Sequence, residues 1–203
     1  MKKYIGLISI IGIIVLMFNT KGVQATKSLD GIDEKLIRFH VLANSNSEED
    51  QTLKLKVRDK VLEYITPKLE KSKSIDESRS ILKKEENNMV NVASEVIKNE
   101  GYSYSVKTTL GRTNFPEKTY GNITLPQGEY EAFRILIGEA KGENWWCVMF
   151  PPLCFVDMTK GQISYEKSEE EIKKVLSEEE ANAVIDKENS KIELRFKLLE
   201  LLK

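Results

Sequence analysis

Both cysteines and both tryptophans of this 203-residue chain fall in one stretch, "NWWCVMFPPLCFVD" (Asn144 to Asp157). A thiol nucleophile needs a base within hydrogen-bonding reach, and the chain has 1 histidine, His40. His40 lies far upstream of Cys147, on a predicted strand where structural partners are easily found. Neither cysteine stands at a predicted helix N-terminus, the usual device for lowering a thiol pKa. Two cysteines with six residues between them plus one histidine match no common zinc spacing. The chain also lacks a G-x-S-x-G elbow, a glycine-rich phosphate loop and an H-E-x-x-H pair. The charge runs "EKSEEEIKK" and "SEEE" read as solvated helix starts, not acid–base pairs. No catalytic residue, cofactor or metal ligand is therefore assigned.

The thiols have two other readings, both open at this point. If the chain reverses at Phe150-Pro151, Cys147 and Cys154 face each other on adjoining strands, within disulfide range. A disulfide closing so short a loop would stabilise the fold by about 2–3 kcal/mol in the chain-closure picture. Alternatively, Pro151-Pro152 widens the turn and both remain small buried hydrophobes. The adjacent tryptophans point to opposite faces of a strand, so one core layer cannot hold both. Two readings stand: both are covered within a three-layer domain, or one is exposed as an anchor for a partner protein.

These residues need elements to hold them. "KLIRFHVLA" is a short strand with Ile37, Phe39 and Val41 on one face and Arg38, His40 and Leu42 on the other. Ser47 with Asp50 three residues on reads as a cap, and the helix it opens runs to about Thr66, before Pro67. A second helix opens at Ser74-x-x-Glu77, carries Ile81, Leu82, Met89, Val92, Val96 and Ile97, and ends near Gly101. Together they make an antiparallel hairpin. Alternating segments follow at Tyr102 to Leu110, around "TYGNITLPQG", and at Glu129 to Gly138. "WWCVMF" comes next, with Trp145, Cys147 and Met149 on one side and Trp146, Val148 and Phe150 on the other. Both sides are apolar, which predicts a central strand. Helix signals return at Ser168-x-x-Glu171 and Ser177-x-x-Glu180, and residues 191–203 lean to a strand. The fold class is α+β, a mostly antiparallel sheet with the helical hairpin packed on it, in the order β-α-α-β-β-β-β-α-β.

Charged residues make up 31% and hydrophobic ones 40%, with a formal net charge of −1, as in a globular domain without a phosphate-binding basic face. Nucleic acid is excluded as a partner on that ground. The N-terminus has its own logic. "MKK" precedes the apolar run Tyr4 to Phe18, and Val23-Gln24-Ala25 suits a signal peptidase cutting between Ala25 and Thr26. The run is short for a membrane span, which needs about 20 apolar residues. Residues 1–25 are read as a signal peptide, 26–34 as a polar leader and 35–203 as one domain working outside a cytoplasmic membrane. An uncleaved segment would instead anchor the chain.

"IRFHVLANSNSEEDQTLKLKVRD" and "YGNITLPQGEYEAFRILIGEAKGENWWCVMFPPLCFVD" together resemble the stage II sporulation protein R family of endospore-forming bacteria. The shared motifs fall on Ile37 to Ser45, Lys56 to Asp59, Tyr120-Gly121, Leu125 to Tyr130 and Asn144 to Cys154, and the tail from Met158 is less similar. The resemblance implies a signal and no enzyme. Such proteins are made in the forespore and exported into the space between forespore and mother cell. There they trigger a membrane-embedded, aspartic-type protease of the mother cell, which trims a sigma factor precursor. Membrane contact would come only through the signal peptide or that receptor. Residue type and position make Arg38, Asn44, Ser45, Trp145 and Trp146 the candidate receptor contacts. The rival class is a secreted thiol-dependent or cell-wall hydrolase using Cys147 or Cys154.

Overall fold

The computed structural model describes residues 31–153 and 165–185, together with Leu29. The signal peptide, its cleavage site at Ala25 and Thr26, Cys154 and residues 191–203 lie outside the described residues.

A one-turn 3-10 helix (Ile32–Glu34) leads into β1 (Ile37–Leu42). The helical hairpin follows as α1 (Glu48–Leu69) and α2 (Ile75–Asn99). Next come β2 (Val106–Phe115), β3 (Lys118–Tyr120), β4 (Ile123–Leu125), β5 (Gly128–Ile137) and β6 (Asn144–Phe150). Helices α3 (Tyr165–Val175) and α4 (Glu178–Val184) complete the described chain. The fold is α+β. Its main sheet runs β2-β5-β1-β6, with β1 parallel to β5 and the other pairs antiparallel. β3 and β4 form a separate hairpin.

The helix starts follow their caps. The Ser47 hydroxyl accepts from the Asp50 amide at 3.2 Å, and that of Ser74 from the Glu77 amide at 3.2 Å. Helix α1 does not stop before Pro67; it continues to Leu69 with Pro67 inside. Proline removes the amide that would bond the Glu63 carbonyl, and both residues face solvent, where water can satisfy that carbonyl. At the end of α2, Gly101 adopts φ 85, and the Tyr102 amide bonds back to the Ile97 carbonyl at 3.0 Å. Ser168 is not a cap: α3 begins earlier, and Ser168 is buried within it. Ser177 does cap α4, in a reciprocal box with Glu180.

The alternation in β1 separates two cores. Ile37, Phe39 and Val41 are buried with Leu53, Val57, Val61, Leu62 and Ile65 of α1 and Leu82, Met89 and Ala93 of α2. The opposite face packs on a smaller layer built from the 3-10 turn, the β3–β4 hairpin, α3 and α4. Two expectations for "WWCVMF" change here. It is β6, an edge strand; β1 and β5 are central. Its apolar character on both sides reflects the two cores, not a strand on each flank. Its alternation also breaks: Ile37 pairs with Phe150 while Arg38 pairs with Val148, a bulge at Met149. Met149 and Phe150 therefore both join the helical core, and Phe150 leaves the face of Trp146 and Val148.

Candidate recognition site

The sheet settles where the reactive side chains sit. Phe39 pairs with Cys147 and His40 with Trp146, so Cys147 faces the helical core and His40 the opposite layer. A strand's thickness of backbone divides the Cys147 sulfur from the sole histidine. Cys147 is itself disulfide-bonded, and Cys154 lies outside the described residues. Among the described residues, no group of three His, Cys, Asp or Glu side chains converges on a metal-sized site.

The tryptophans part company as the strand period requires. Trp145 meets Phe39 edge to face at 5.9 Å and lies under the Arg58 guanidinium, 4.6 Å from the ring centroid. Trp146 stacks on His40 at 4.7 Å with an interplanar angle of 8°, and meets Phe115 edge-on. Both are half-buried.

Arg38 is fully buried, so its side chain offers no surface to a receptor in this conformation. Its guanidinium sits 4.5 Å from the ring centroid of Phe115 and 4.6 Å from that of Tyr130. One terminal nitrogen donates to the Tyr120 hydroxyl at 3.0 Å, while Nε and the other terminal nitrogen have no hydrogen-bond partner. No carboxylate pairs with it among the described residues; aromatic faces stand in for a counter-ion. Burial pushes the Tyr120 and Tyr130 hydroxyls above their ordinary pKa, against the pull of Arg38. His40 is 4% exposed, and neither ring nitrogen has a partner. Its pKa falls from 6.5 to about 4, chiefly through burial and then through Arg134 and Arg38.

Asn44 and Ser45 are occupied within the fold. Asn44 Nδ2 donates to Asp50 at 2.8 Å, and the Ser45 hydroxyl to the same oxygen at 2.6 Å. Burial raises the pKa of Asp50, yet donors from Ser45, Asn44 and Tyr104 outweigh it and hold the carboxyl below its usual range. Asn44 Oδ1 accepts from the Glu139 amide, and Asn46 Oδ1 from the Glu143 amide. Lys54 reaches the Glu143 carbonyl at 2.9 Å. The β1–α1 turn is thus laced to the β5–β6 turn, which fixes Trp145 and Trp146 relative to β1. The sequence reading missed the cage of Phe115, Tyr120 and Tyr130 around Arg38. Its signal was available in Tyr120-Gly121 and Leu125 to Tyr130, motifs whose purpose no local pattern explains.

What this arrangement defines is a two-core α+β domain whose aromatic side chains pack against one another and against Arg38 and Arg58. The described residues assemble no nucleophile with a base. The family described as Stage II sporulation protein R matches residues 33–160. Stage II sporulation protein R of Bacillus subtilis (strain 168) is 40% identical over 147 residues, covering 72% of this chain and 66% of that protein. The chain therefore spans just under two thirds of that relative's length. No solved structure matches. The chain belongs to the stage II sporulation protein R family, and its role lies in sporulation.

Proposed function

We propose that this chain is an exported intercellular signal of sporulation. Made in the forespore, it crosses into the space between forespore and mother cell. There it activates a membrane-embedded, aspartic-type protease of the mother cell, which then cleaves the sigma factor precursor. Family membership carries this reading. The separation of His40 from Cys147 by the sheet supports it against a thiol hydrolase.

A signal of this kind activates by binding the receptor's active state better than its inactive one. Moving a 1:99 equilibrium to 99:1 takes about 5.5 kcal/mol of preference, within reach of a few desolvated aromatic and arginine anchors. The test is co-expression of the chain with the candidate protease and the sigma factor precursor. Processing should appear only when the chain is present and exported; precursor cleaved equally without it would refute the proposal. A Cys147→Ser/Cys154→Ser double variant should keep most of the activity if it still folds, whereas a thiol enzyme would lose all of it.

A further inference from the structure

The strand register aligns side chains on the face opposite the helical hairpin. Lys107, Leu136, Leu42 and Asn144 form one row across β2, β5, β1 and β6; Thr109, Arg134, His40 and Trp146 form the next. The layer of β3, β4, α3 and α4 covers the Arg38 end of this face, where Phe115, Ala132 and Val148 are buried. Among the described residues it reaches Trp146, which packs against its edge, but not Leu42 or Leu136 of the outer row. Leu42, Leu136, Arg134, Asn144 and Trp146 are half-buried and Lys107 is exposed, and neither leucine joins either core.

Two observations say what belongs there. The patch is cationic: neither Arg134 nor Lys107 pairs with a carboxylate among the described residues. Arg134 spends Nε on the Thr109 hydroxyl at 2.7 Å, which leaves its two terminal nitrogens to grip a planar anion. Beneath them His40, 4% exposed, has two ring nitrogens without partners, an arrangement that costs stability unless something else completes it. Tryptophan and arginine are the residue types that hot spots favour, and the two leucines extend the apolar surface around them.

We propose that this half-open sheet face, centred on Arg134, Leu136 and Trp146, docks a protein segment presenting a carboxylate beside apolar side chains. The carboxylate pairs with Arg134, Lys107 adds longer-range attraction, and the apolar side chains cover Leu42, Leu136 and Trp146. This rests on the signalling reading above and assigns it a surface.

The test uses the full chain in the co-expression assay. Arg134→Glu should reduce precursor processing at least tenfold, and Leu136→Ser several-fold, while Lys84→Glu on the far side, exposed on α2, leaves it unchanged. Secretion and thermal melting identify any variant that fails to fold. A benzophenone side chain at position 136, but not at position 84, should cross-link to the protease. Wild-type processing by both Arg134→Glu and Leu136→Ser would overturn the proposal. So would capture at position 136 of a second copy or of another segment of this chain. If the wild-type chain itself triggers no processing, the signalling reading fails first and this surface falls with it; processing by wild type and variants alike removes only the surface.

Discussion

Acidification should weaken this fold through one residue, because the chain has 1 histidine and it is buried neutral. In the folded chain His40 titrates at about 4, against 6.5 for a solvated histidine. The unfolded chain therefore binds the proton more readily. The stability this confers is complete above pH 6.5 and is lost as pH falls toward 4. The whole shift is worth about 3 kcal/mol, and about 2 kcal/mol of it is gone by pH 5. For a chain of this size that is a fall in Tm of roughly 4–8 °C between pH 7.5 and 5. The neighbours leave little escape: Arg38 and Arg134 are the charges facing His40, and Trp146 and Phe115 pack against its ring. The perturbed carboxyls titrate elsewhere; Glu85, held by Tyr64 and Asn88, lies at about 2, and Asp50 is also lowered. The assay is calorimetric melting from pH 7.5 to 5 of the wild type beside His40→Leu. The variant should show a much flatter profile over that window. Equal slopes in the two proteins, or a ring-proton NMR titration of folded His40 centred near 6.5, would refute the reasoning.

Two further substitutions test the lacing of the turns. Gly138 has φ 57, and a Cβ there would lie 2.3 Å from Asn44 Oδ1, so Gly138→Ala should cost about 1–3 kcal/mol in denaturant unfolding. A loss below a few tenths would mean that Asn44 relaxes freely. Asp50→Ala removes the shared acceptor of Asn44 and Ser45 from a site 4% exposed, and should cost about 2–3 kcal/mol. The same substitution should speed amide exchange at Glu139, whose N–H is held by Asn44; unchanged exchange would show that the two turns are not coupled through this carboxylate.

Local patterns made the α+β class legible. The period-two face of β1 and the caps Ser47, Ser74 and Ser177 each express a rule acting within a few residues, and each reappears in the structure. Pro67 misled, because a proline's cost depends on whether the orphaned carbonyl reaches water, a tertiary fact. β6 misled for a related reason: apolar residues on both faces report covering layers and say nothing of lateral neighbours. The site was legible only in part. Trp145 and Trp146 did separate to opposite faces, as adjacent strand residues must. The burial of Arg38 was invisible, since its three aromatic neighbours arrive from β2, β3 and β5. Nothing near Arg38 in sequence marks it as a cation that needs no carboxylate.

The central position of β1 has a consequence for when the molecule can exist at all. Its hydrogen-bonding neighbours are β5 and β6, strands that come after the whole helical hairpin and three further strands. The hairpin closes through contacts local in sequence and can form early, and β2 pairs with β5 over a modest separation; the pairings of β1 with β5 and β6 are the ones of high contact order. A chain threaded N-terminus first through a membrane would emerge with β1 unpaired until residues 128–150 had followed it. No folded sheet would block its passage, and a product truncated before β6 would leave one edge of β1 open. Completion of the architecture is thus tied to the presence of nearly the entire domain.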